Sequence, residues 1–315
     1  MNESAIDDGN RWYHNLLRWF DSSSTYRDAI ISRYDIEWLR ALPFGLVHLV
    51  CLGAFWVGWS PTALWVAAGA YIVRMFAITG FYHRYFSHRT YRTSRLVQFI
   101  FAVVGNSSLQ RGPLWWAAHH RHHHRYADQQ ADPHSPHQHG FWWSHIFWIT
   151  SRQHFATDED AVGDLARYKE LRFLNRFDFL VPTLFATALY ALGSYLETTM
   201  PQLRTSGPQL LIWGFFISTI ALFHATCTIN SLAHQFGRRR YATGEHSRNN
   251  WFLALITFGE GWHNNHHFCP GACRQGFYWW EIDLTYYGLR VLSWLGLIWD
   301  LHPVPARAYR RQPPP

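Results

Sequence analysis

Residues 210–234 read LLIWGFFISTIALFHATCTINSLAH, an apolar run that ends in a short polar motif. The apolar part, residues 210–228, is close to the roughly 20 residues that a helix needs to cross a bilayer. Asn230 and His234 are four residues apart, so on a helix their side chains share one face where the span ends. The stretch therefore predicts a membrane helix whose end carries polar chemistry.

Three further apolar stretches have a similar length, residues 42–59, 62–80 and 179–196. The first two are separated only by Ser60-Pro61, which leaves room for a tight hairpin, and the last two spans by a polar connection at 197–208. The chain is 48% hydrophobic, and its 18 Trp and 16 Tyr suit a membrane interface. We predict an all-α integral membrane protein with four transmembrane helices arranged as two hairpins.

Lysine and arginine counts orient these spans. Residues 81–177 carry 12, the part after residue 230 carries 9, the first 41 residues carry 5, and residues 197–208 contain only Arg204. By the positive-inside rule, both termini and the middle segment are cytoplasmic. The net charge of +7 is interleaved with membrane segments, which favours anionic lipid headgroups or a phosphate-bearing substrate over nucleic acid.

We divide the chain into cytosolic or interfacial N-terminal helices at 1–41, a membrane domain at 42–302 and a disordered tail at 303–315. The acidic N-terminus lacks the apolar core of a secretory signal peptide. Residues 96–105 are apolar but too short to span, which predicts a re-entrant or interfacial helix. Gly112-Pro113 predicts a helix start that runs to about Tyr126, and residues 283–301 predict a second interfacial helix.

Two histidine triplets repeat one helical spacing. Positions i, i+3 and i+4 share a helix face, which groups His120 with His123 and His124 and also groups the later members His263, His266 and His267. Trp116 joins the first face. His119, His122 and His123 fit the same spacing, so periodicity leaves the register of the first triplet open. His83 and His88 are five apart and would diverge on an ideal helix.

Nine imidazoles exceed the four ligands of a structural zinc site, and the site lacks the carboxylates of a hydrolytic two-zinc centre. An all-imidazole set suits iron, or copper as a second choice. Asp128, Asp132 and Glu260 follow or precede the clusters and are candidate hydrogen-bond partners that orient the ligands. Chance, a metal-scavenging surface or a solvated basic face are the non-catalytic explanations.

Four of these segments together resemble the membrane acyl-CoA desaturases of the stearoyl-CoA desaturase type. HRYFSH at 83–88, HRHHH at 120–124 and GEGWHNNHH at 259–267 are similar to its three histidine boxes, and NSLAH at 230–234 to its additional ligand motif. DPH at 132–134 and GFWWSH at 140–145 also match, so the likeness covers most of residues 42–302. The arginine after His120 selects that histidine over His119.

The resemblance implies four membrane helices under a cytosolic helical cap that holds two irons. One iron would take His83, His88, His120, His124 and His266. The other would take His123, His234, His263 and His267, with Asn230 holding a bound water. Trp116 resembles the tryptophan that lines the family's substrate tunnel, and the bacterial members imply an inner-membrane location.

The implied reaction is a desaturation that inserts a cis double bond into a saturated fatty acyl chain, near its middle, with O2 as co-substrate. A related membrane hydroxylase is the nearest alternative, and a non-catalytic metal-binding protein a more distant one. Animal members carry an Arg-Asp pair that contacts coenzyme A where Ala118 and His119 stand here, so coenzyme A, acyl carrier protein and a membrane lipid all remain candidate carriers. Arg121 and Arg125 are possible contacts for it, and ferredoxin or cytochrome b5 would donate electrons to the basic cytosolic surface.

Overall fold

The structure is a computed structural model that describes residues 20–23 and 32–310. It is mostly helical. The described α-helices are α1 (Trp38–Val50), α2 (Ala54–Val57), α3 (Pro61–Phe76), α4 (Arg95–Asn106), α5 (Pro113–Tyr126), α6 (Pro136–His139), α7 (Phe141–His145), α8 (Gly163–Ala166), α9 (Lys169–Arg176), α10 (Leu180–Thr199), α11 (Gly207–Leu210), α12 (Ser218–Ser231), α13 (Trp251–Ile256), α14 (His263–Phe268) and α15 (Leu284–Trp294).

Two π-helical segments continue α-helices, π1 (Ala77–Ser87) after α3 and π2 (Leu211–Ile217) before α12. Short 3₁₀ turns occur at Cys51–Gly53, Phe147–Thr150, Arg152–His154, Asp160–Val162, Pro201–Leu203, Leu232–His234 and Ala306–Tyr309. Strands β1 (Arg92–Thr93) and β2 (Ile298–Trp299) pair antiparallel, with Arg92 opposite Trp299.

Two continuous helices are long and apolar enough to cross a membrane, Pro61–Ser87 and Gly207–His234. A third candidate is the pair α9 and α10, which bends by 73° at its break, and Ala41–Val57 is a shorter apolar helix. Large apolar side chains on these helices are exposed, among them Trp56 at 82% and Trp65 at 78%. An apolar surface of this kind is stable when lipid covers it.

Both long helices extend beyond the predicted spans toward the cap. The second span was predicted to end at residue 80, but its helix continues as π1 to Ser87. The fourth was predicted to end at residue 228, and its helix reaches His234 through a final 3₁₀ turn. Each extension carries a candidate ligand, His83 or His234. Both candidate spans thus carry a candidate ligand at one end of the helix.

Several sequence predictions for the cap are confirmed. Helix α5 has Gly112 as its N-cap residue, Pro113 at its first position and Tyr126 as its last residue. Helix α4 contains the short apolar stretch 96–105, and its Leu96 and Ile100 are exposed at 67% and 47%. The stretch is therefore helical, as predicted, and its re-entrant or interfacial position stays a prediction.

Two predictions near the C-terminus were wrong. The helix expected at 283–301 ends at Trp294, because Gly296 has a φ of +72° and the chain then forms β2 against β1. Of the tail expected to be disordered, residues 303–310 are ordered. Ala308 is buried and accepts a hydrogen bond from the Tyr241 hydroxyl at 2.7 Å. Most of the N-terminal segment 1–41 and the last five residues lie outside the described residues.

Three histidines outside the boxes tie the membrane helices to the cap. His48 Nε2 and His224 Nε2 are 3.1 Å apart, and His224 Nδ1 and His145 Nε2 are 3.0 Å apart. His145 Nδ1 lies 2.9 Å from Ser231 Oγ. This chain of hydrogen bonds joins α1, α7 and α12.

Candidate metal centre

The structure brings all nine candidate histidines together in two adjacent groups. In each group one ring nitrogen of every member lies within 4.8 Å of that of every other member. The first group is His83, His88, His120, His124 and His266, and the second is His123, His234, His263 and His267. These are the same two sets that the resemblance implies. Their assignment as metal ligands stays a prediction.

The two helical triplets do not each serve one group. Helix α5 gives His120 and His124 to the first group and His123 to the second, whereas α14 gives His266 to the first and His263 and His267 to the second. Positions i and i+4 point together and position i+3 is offset around the helix. Both helices thus contribute to both groups, and the rings of His124 and His267, one from each group, stack at 4.4 Å.

The π-helix explains how His83 and His88 converge. In π1 the backbone hydrogen bonds join residues five apart, in contrast with four in an α-helix. Residues five apart therefore lie closer to one face than in an α-helix, and the imidazole centroids of His83 in π1 and of His88, which follows its last residue, are 5.0 Å apart. The sequence indicated that a distortion was needed but not which one, and π-helical segments often occur at functional sites.

The nitrogen geometry fits bound metal ions. His83 Nε2 lies 3.0 Å from His266 Nε2, and His234 Nε2 lies 3.0 Å from His263 Nε2. Nitrogens about 2.1 Å from one ion, the usual metal–imidazole distance, are about 3 Å apart when they are adjacent ligands. Because Nδ1 of His83 and of His234 faces a carboxylate, each Nε2 directs a lone pair inward, where a cation would stabilise it.

Burial keeps most of these imidazoles neutral, as metal ligation requires. Removal from water, reinforced by the neighbouring imidazoles, holds the pKa values well below the usual histidine range for His120, His124, His263, His266 and His267. Protons therefore do not compete for the ring nitrogens of these five histidines near neutral pH. At His123, burial lowers the pKa, but the charge and hydrogen bond of Asp132, together with the nearby carboxylates, outweigh burial and raise the pKa above its usual value.

The three predicted orienting carboxylates all contact candidate ligands. Glu260 contacts Nδ1 of His83, Asp132 Oδ2 lies 3.0 Å from Nδ1 of His123, and Asp128 Oδ2 lies 2.9 Å from Nδ1 of His234. Asp128 and Asp132 are held in place by backbone N–H groups, since Asp132 accepts from Asp128 at 2.9 Å and Asp128 from His246 at 2.8 Å. Such contacts fix the tautomer and the direction of the ring.

Sequence reasoning missed part of this surrounding layer. Glu245 lies 3.7 Å from Nδ1 of His234 and 3.8 Å from Nδ1 of His267, and Gln275 Nε2 lies 3.4 Å from Nδ1 of His266. Both residues come from irregular segments, where no periodicity predicts a direction. Asp283 also belongs to these surroundings, through the network described next. It is the one residue among them with a local sequence cue, because it caps α15 by accepting a hydrogen bond from Tyr286 N at 2.9 Å.

A buried ionic network supports Glu260. Arg84 of π1 donates to Asp283 at 2.9 and 3.0 Å and to Glu260 at 3.1 Å. Gly259 has a φ of +123°, and a Cβ there would lie 2.5 Å from Asp283 Oδ1. A glycine is therefore required where the third box begins, because Asp283 occupies the space of a side chain.

Trp116 and Asn230 lie beside the two groups. The Trp116 ring stacks on His120 at 5.0 Å and contacts His83 at 5.9 Å. Trp116, Asn230 and Thr226 line two cavities, a small one of about 40 Å³ bordered by His83, His120, His123 and His263, and a larger one of about 410 Å³. The centre is thus reached through an adjoining cavity.

Arg121 and Arg125, the residues suggested as contacts for the acyl carrier, do not line either cavity. Arg121 donates to Asp164 at 2.7 Å and to the carbonyl oxygens of Ser87, Phe86 and Ala161 at 3.0, 2.7 and 2.8 Å. This guanidinium links α5 to the end of π1, which is a structural role. Arg125 is exposed on the same helix.

Comparison with known proteins identifies the class of molecule. A family model described as fatty acid desaturase matches residues 58–293. The chain belongs to this fatty acid desaturase family. It is therefore an oxidoreductase, and the predicted membership of the desaturase family is confirmed.

Relatives of this desaturase differ in substrate and position. An acyl-CoA C20 delta-5 desaturase of Anemone leveillei is 37% identical over 85% of this chain and 82% of its own. A chloroplastic palmitoyl-monogalactosyldiacylglycerol delta-7 desaturase of Arabidopsis thaliana is 35% identical over 89% and 73%. An sn-1 stearoyl-lipid 9-desaturase of Synechocystis sp. is 34% identical over 93% and 89%.

A test of the orienting carboxylates follows for this desaturase. We expect Asp132→Asn to weaken metal binding about 10- to 100-fold, because the amide no longer holds His123 in the tautomer that exposes Nε2. The release of metal to a chelator measures this loss. The control is Asp158→Asn, an exposed carboxylate of the cap, which should release metal at the wild-type rate. Equal rates for Asp132→Asn and wild type would contradict the role of Asp132.

Proposed function

We propose that the protein is a membrane di-iron desaturase that inserts a cis double bond, at the Δ9 position, into a saturated fatty acyl chain with O2 and two electrons. The observation that carries this proposal is the larger cavity, which runs beside Trp116, His120 and Asn230. Its other walls are mostly apolar, as an acyl chain requires, and its volume of about 410 Å³ lies in the usual range of ligand sites.

Two irons would be held by the two histidine groups, with Asn230 positioning a water at the second. Bound iron supplies the oxidising power that removes hydrogen from an unactivated methylene, which no side chain can do. In balance, two hydrogens leave the chain, and O2 with two electrons and two protons becomes two waters. The partial closure of the centre by protein limits side reactions with solvent.

Protein groups would determine which carbons react. Trp116 stacks on His120, and both line the larger cavity together with Gln110 and Thr226, whose side chains are joined by a hydrogen bond from Gln110 Nε2 to Thr226 Oγ1 at 3.1 Å. A chain pressed between fixed groups presents the same methylenes at every turnover. Relatives include delta-5, delta-7 and delta-9 enzymes. In this proposal the depth of the cavity sets the position of the double bond in the acyl chain.

The proposed topology has four spans and a cytosolic cap. Helices α1 and α2 would form the first span, α3 with π1 the second, α10 the third and the helix Gly207–His234 the fourth. The positive-inside distribution supports a cytoplasmic centre in a bacterial inner membrane. Ferredoxin or cytochrome b5 would then supply electrons from the cytoplasm.

The proposal is tested with purified protein in lipid nanodiscs, loaded with iron and supplied with O2, ferredoxin and a ferredoxin reductase. Stearoyl and palmitoyl groups labelled with deuterium are offered as coenzyme A thioesters and as glycerolipids. A product lighter by two hydrogens supports desaturation, and a product heavier by one oxygen supports the hydroxylase. Unchanged substrate with every carrier overturns both, and fragmentation of the product locates the double bond.

A further inference from the structure

The larger cavity opens where the cap meets the membrane helices. Phe20 and Thr183 line it and are exposed, and Pro43 and Val47 line it from α1. The opening lies next to the 73° bend between α9 and α10. In the proposed topology α10 is a span and α9 lies outside the membrane, so the bend between them would lie at the membrane interface, where the ester groups of glycerolipids are found. We call this opening the mouth and define it by Phe20, Arg111, Asp178, Phe179 and Thr183.

The mouth contains a cation and an anion in balance. Arg111 Nε lies 3.5 Å from Asp178 Oδ2, and Ser22 donates to Asp178 Oδ1 at 2.9 Å. Arg111 also donates to the carbonyl oxygen of Phe155 at 2.8 Å. The guanidinium is held between protein acceptors, and Asp178 cancels its charge. The mouth therefore presents no net positive charge to an incoming head group.

A second arginine near the mouth is also paired with a carboxylate. Arg176, two residues before Asp178, donates to Asp21 at 2.7 Å. Coenzyme A and the prosthetic group of acyl carrier protein bring phosphates, which bind to unpaired arginine or lysine. Among the described residues that line the larger cavity, Arg111 is the one arginine or lysine, and it is already paired with Asp178, which would itself repel a phosphate.

The orphaned polar atoms of the mouth suit a neutral polar group. Arg111 Nε and Asp178 Oδ2 are buried and, apart from their long ion pair with each other at 3.5 Å, have no hydrogen-bond partner among the described residues. An ester carbonyl can accept from such a donor without adding charge, and the apolar walls from α1 and α10 accept the chain below it. Buried polar atoms without partners carry a free-energy cost that a bound ligand can relieve.

We propose that the substrate is an acyl chain esterified to a membrane glycerolipid, which enters sideways between α1 and α10, and not a soluble acyl thioester. This inference rests on the proposed desaturase function and adds the carrier. The glycerol ester stays at the mouth at the interface, and the chain extends along the larger cavity toward Trp116 and His120. The lipid need not leave the bilayer.

The experiment compares carriers in one preparation. Purified, iron-loaded protein in nanodiscs receives stearoyl groups either as 1-stearoyl-2-oleoyl-phosphatidylcholine and stearoyl-monogalactosyldiacylglycerol in the bilayer or as added stearoyl-CoA. We expect product in the lipid arms and a rate at least about tenfold lower with stearoyl-CoA. A rate with stearoyl-CoA equal to or above that with both lipids overturns the inference. No product in any arm instead rejects the proposed function.

A charge variant tests whether the Asp178 carboxylate excludes the phosphates of coenzyme A. Asp178→Asn removes the repulsive charge, leaves Arg111 unpaired and should lower the KM for stearoyl-CoA about tenfold. The control Asp300→Asn changes an exposed carboxylate outside the mouth, at a positive φ that asparagine tolerates, and should leave that KM unchanged. An unchanged KM in Asp178→Asn, or an equal decrease in the control, contradicts the role of the mouth.

Discussion

Replacing His120 with alanine is expected to remove one of two metal ions and to lower desaturation at least about a thousandfold, or about 4 kcal/mol in activation free energy. His120 Nε2 lies 2.8 Å from His88 Nε2 in the first histidine group, and its ring carries Trp116 on one face. The substitution removes a ligand and the support for the residue that borders the substrate cavity. Elemental analysis measures the metal, and product formation measures the activity.

Neighbouring histidines provide matched controls on the same helix. His119 Nδ1 lies 3.0 Å from the carbonyl oxygen of Trp115, and His122 Nε2 lies 3.0 Å from that of Ala131. Neither ring belongs to a histidine group, so His119→Ala and His122→Gln should keep the full metal content, and His122→Gln should keep its activity. Loss of metal in His119→Ala together with full metal in His120→Ala would contradict the register of the first triplet.

That register marks the limit of what periodicity could predict. The spacing placed the members of each triplet on one face but fitted two registers in α5, and only the arginine after His120 selected one. The structure adds a physical reason, because α5 is oriented by Arg121 bonded to Asp164 and to the end of π1. This orientation is a tertiary contact, and a helical repeat contains no information about it.

Other elements were predictable to different degrees. The limits of α5 followed from local chemistry, since Gly112 and Pro113 begin a helix by their own backbone preferences. The convergence of His83 and His88 depended on π1, which no propensity scale distinguishes from an α-helix. The tail at 303–310 was misjudged because its order comes from Tyr241 and Phe277, residues distant in sequence that bind Ala308 and Tyr309.

The ionic network behind the third box was not predictable for the same reason. Arg84 follows a candidate ligand in π1, whereas Asp283 begins α15 about two hundred residues later, a separation of 199 positions. In the sequence, Arg84 is one of many basic residues near a span end and would count only toward orientation. The fold buries it to 1% exposure and surrounds it with Asp283, Glu260 and the carbonyl oxygen of Cys273.

Arg84→Leu is therefore expected to lower the free energy of unfolding by about 3–5 kcal/mol, because it leaves two buried carboxylates without a counter-charge. The melting temperature of the purified protein in detergent should fall by about 10 °C, and metal should be lost as Glu260 releases His83. The control Arg92→Leu removes an arginine that is 74% exposed and 3.4 Å from Asp300, a surface pair worth about 1 kcal/mol or less.

A second variant separates charge from packing. Asp283→Asn keeps the acceptor that caps α15 but removes one of the two carboxylate charges, so Arg84→Leu with Asp283→Asn should melt at a higher temperature than Arg84→Leu alone. Such non-additivity is expected of residues in contact. If the two substitutions lower the melting temperature additively, the network does not couple π1 to α15. The hydrogen bonds of Arg84 would then contribute only locally, and the third box would owe its position to the packing of α14.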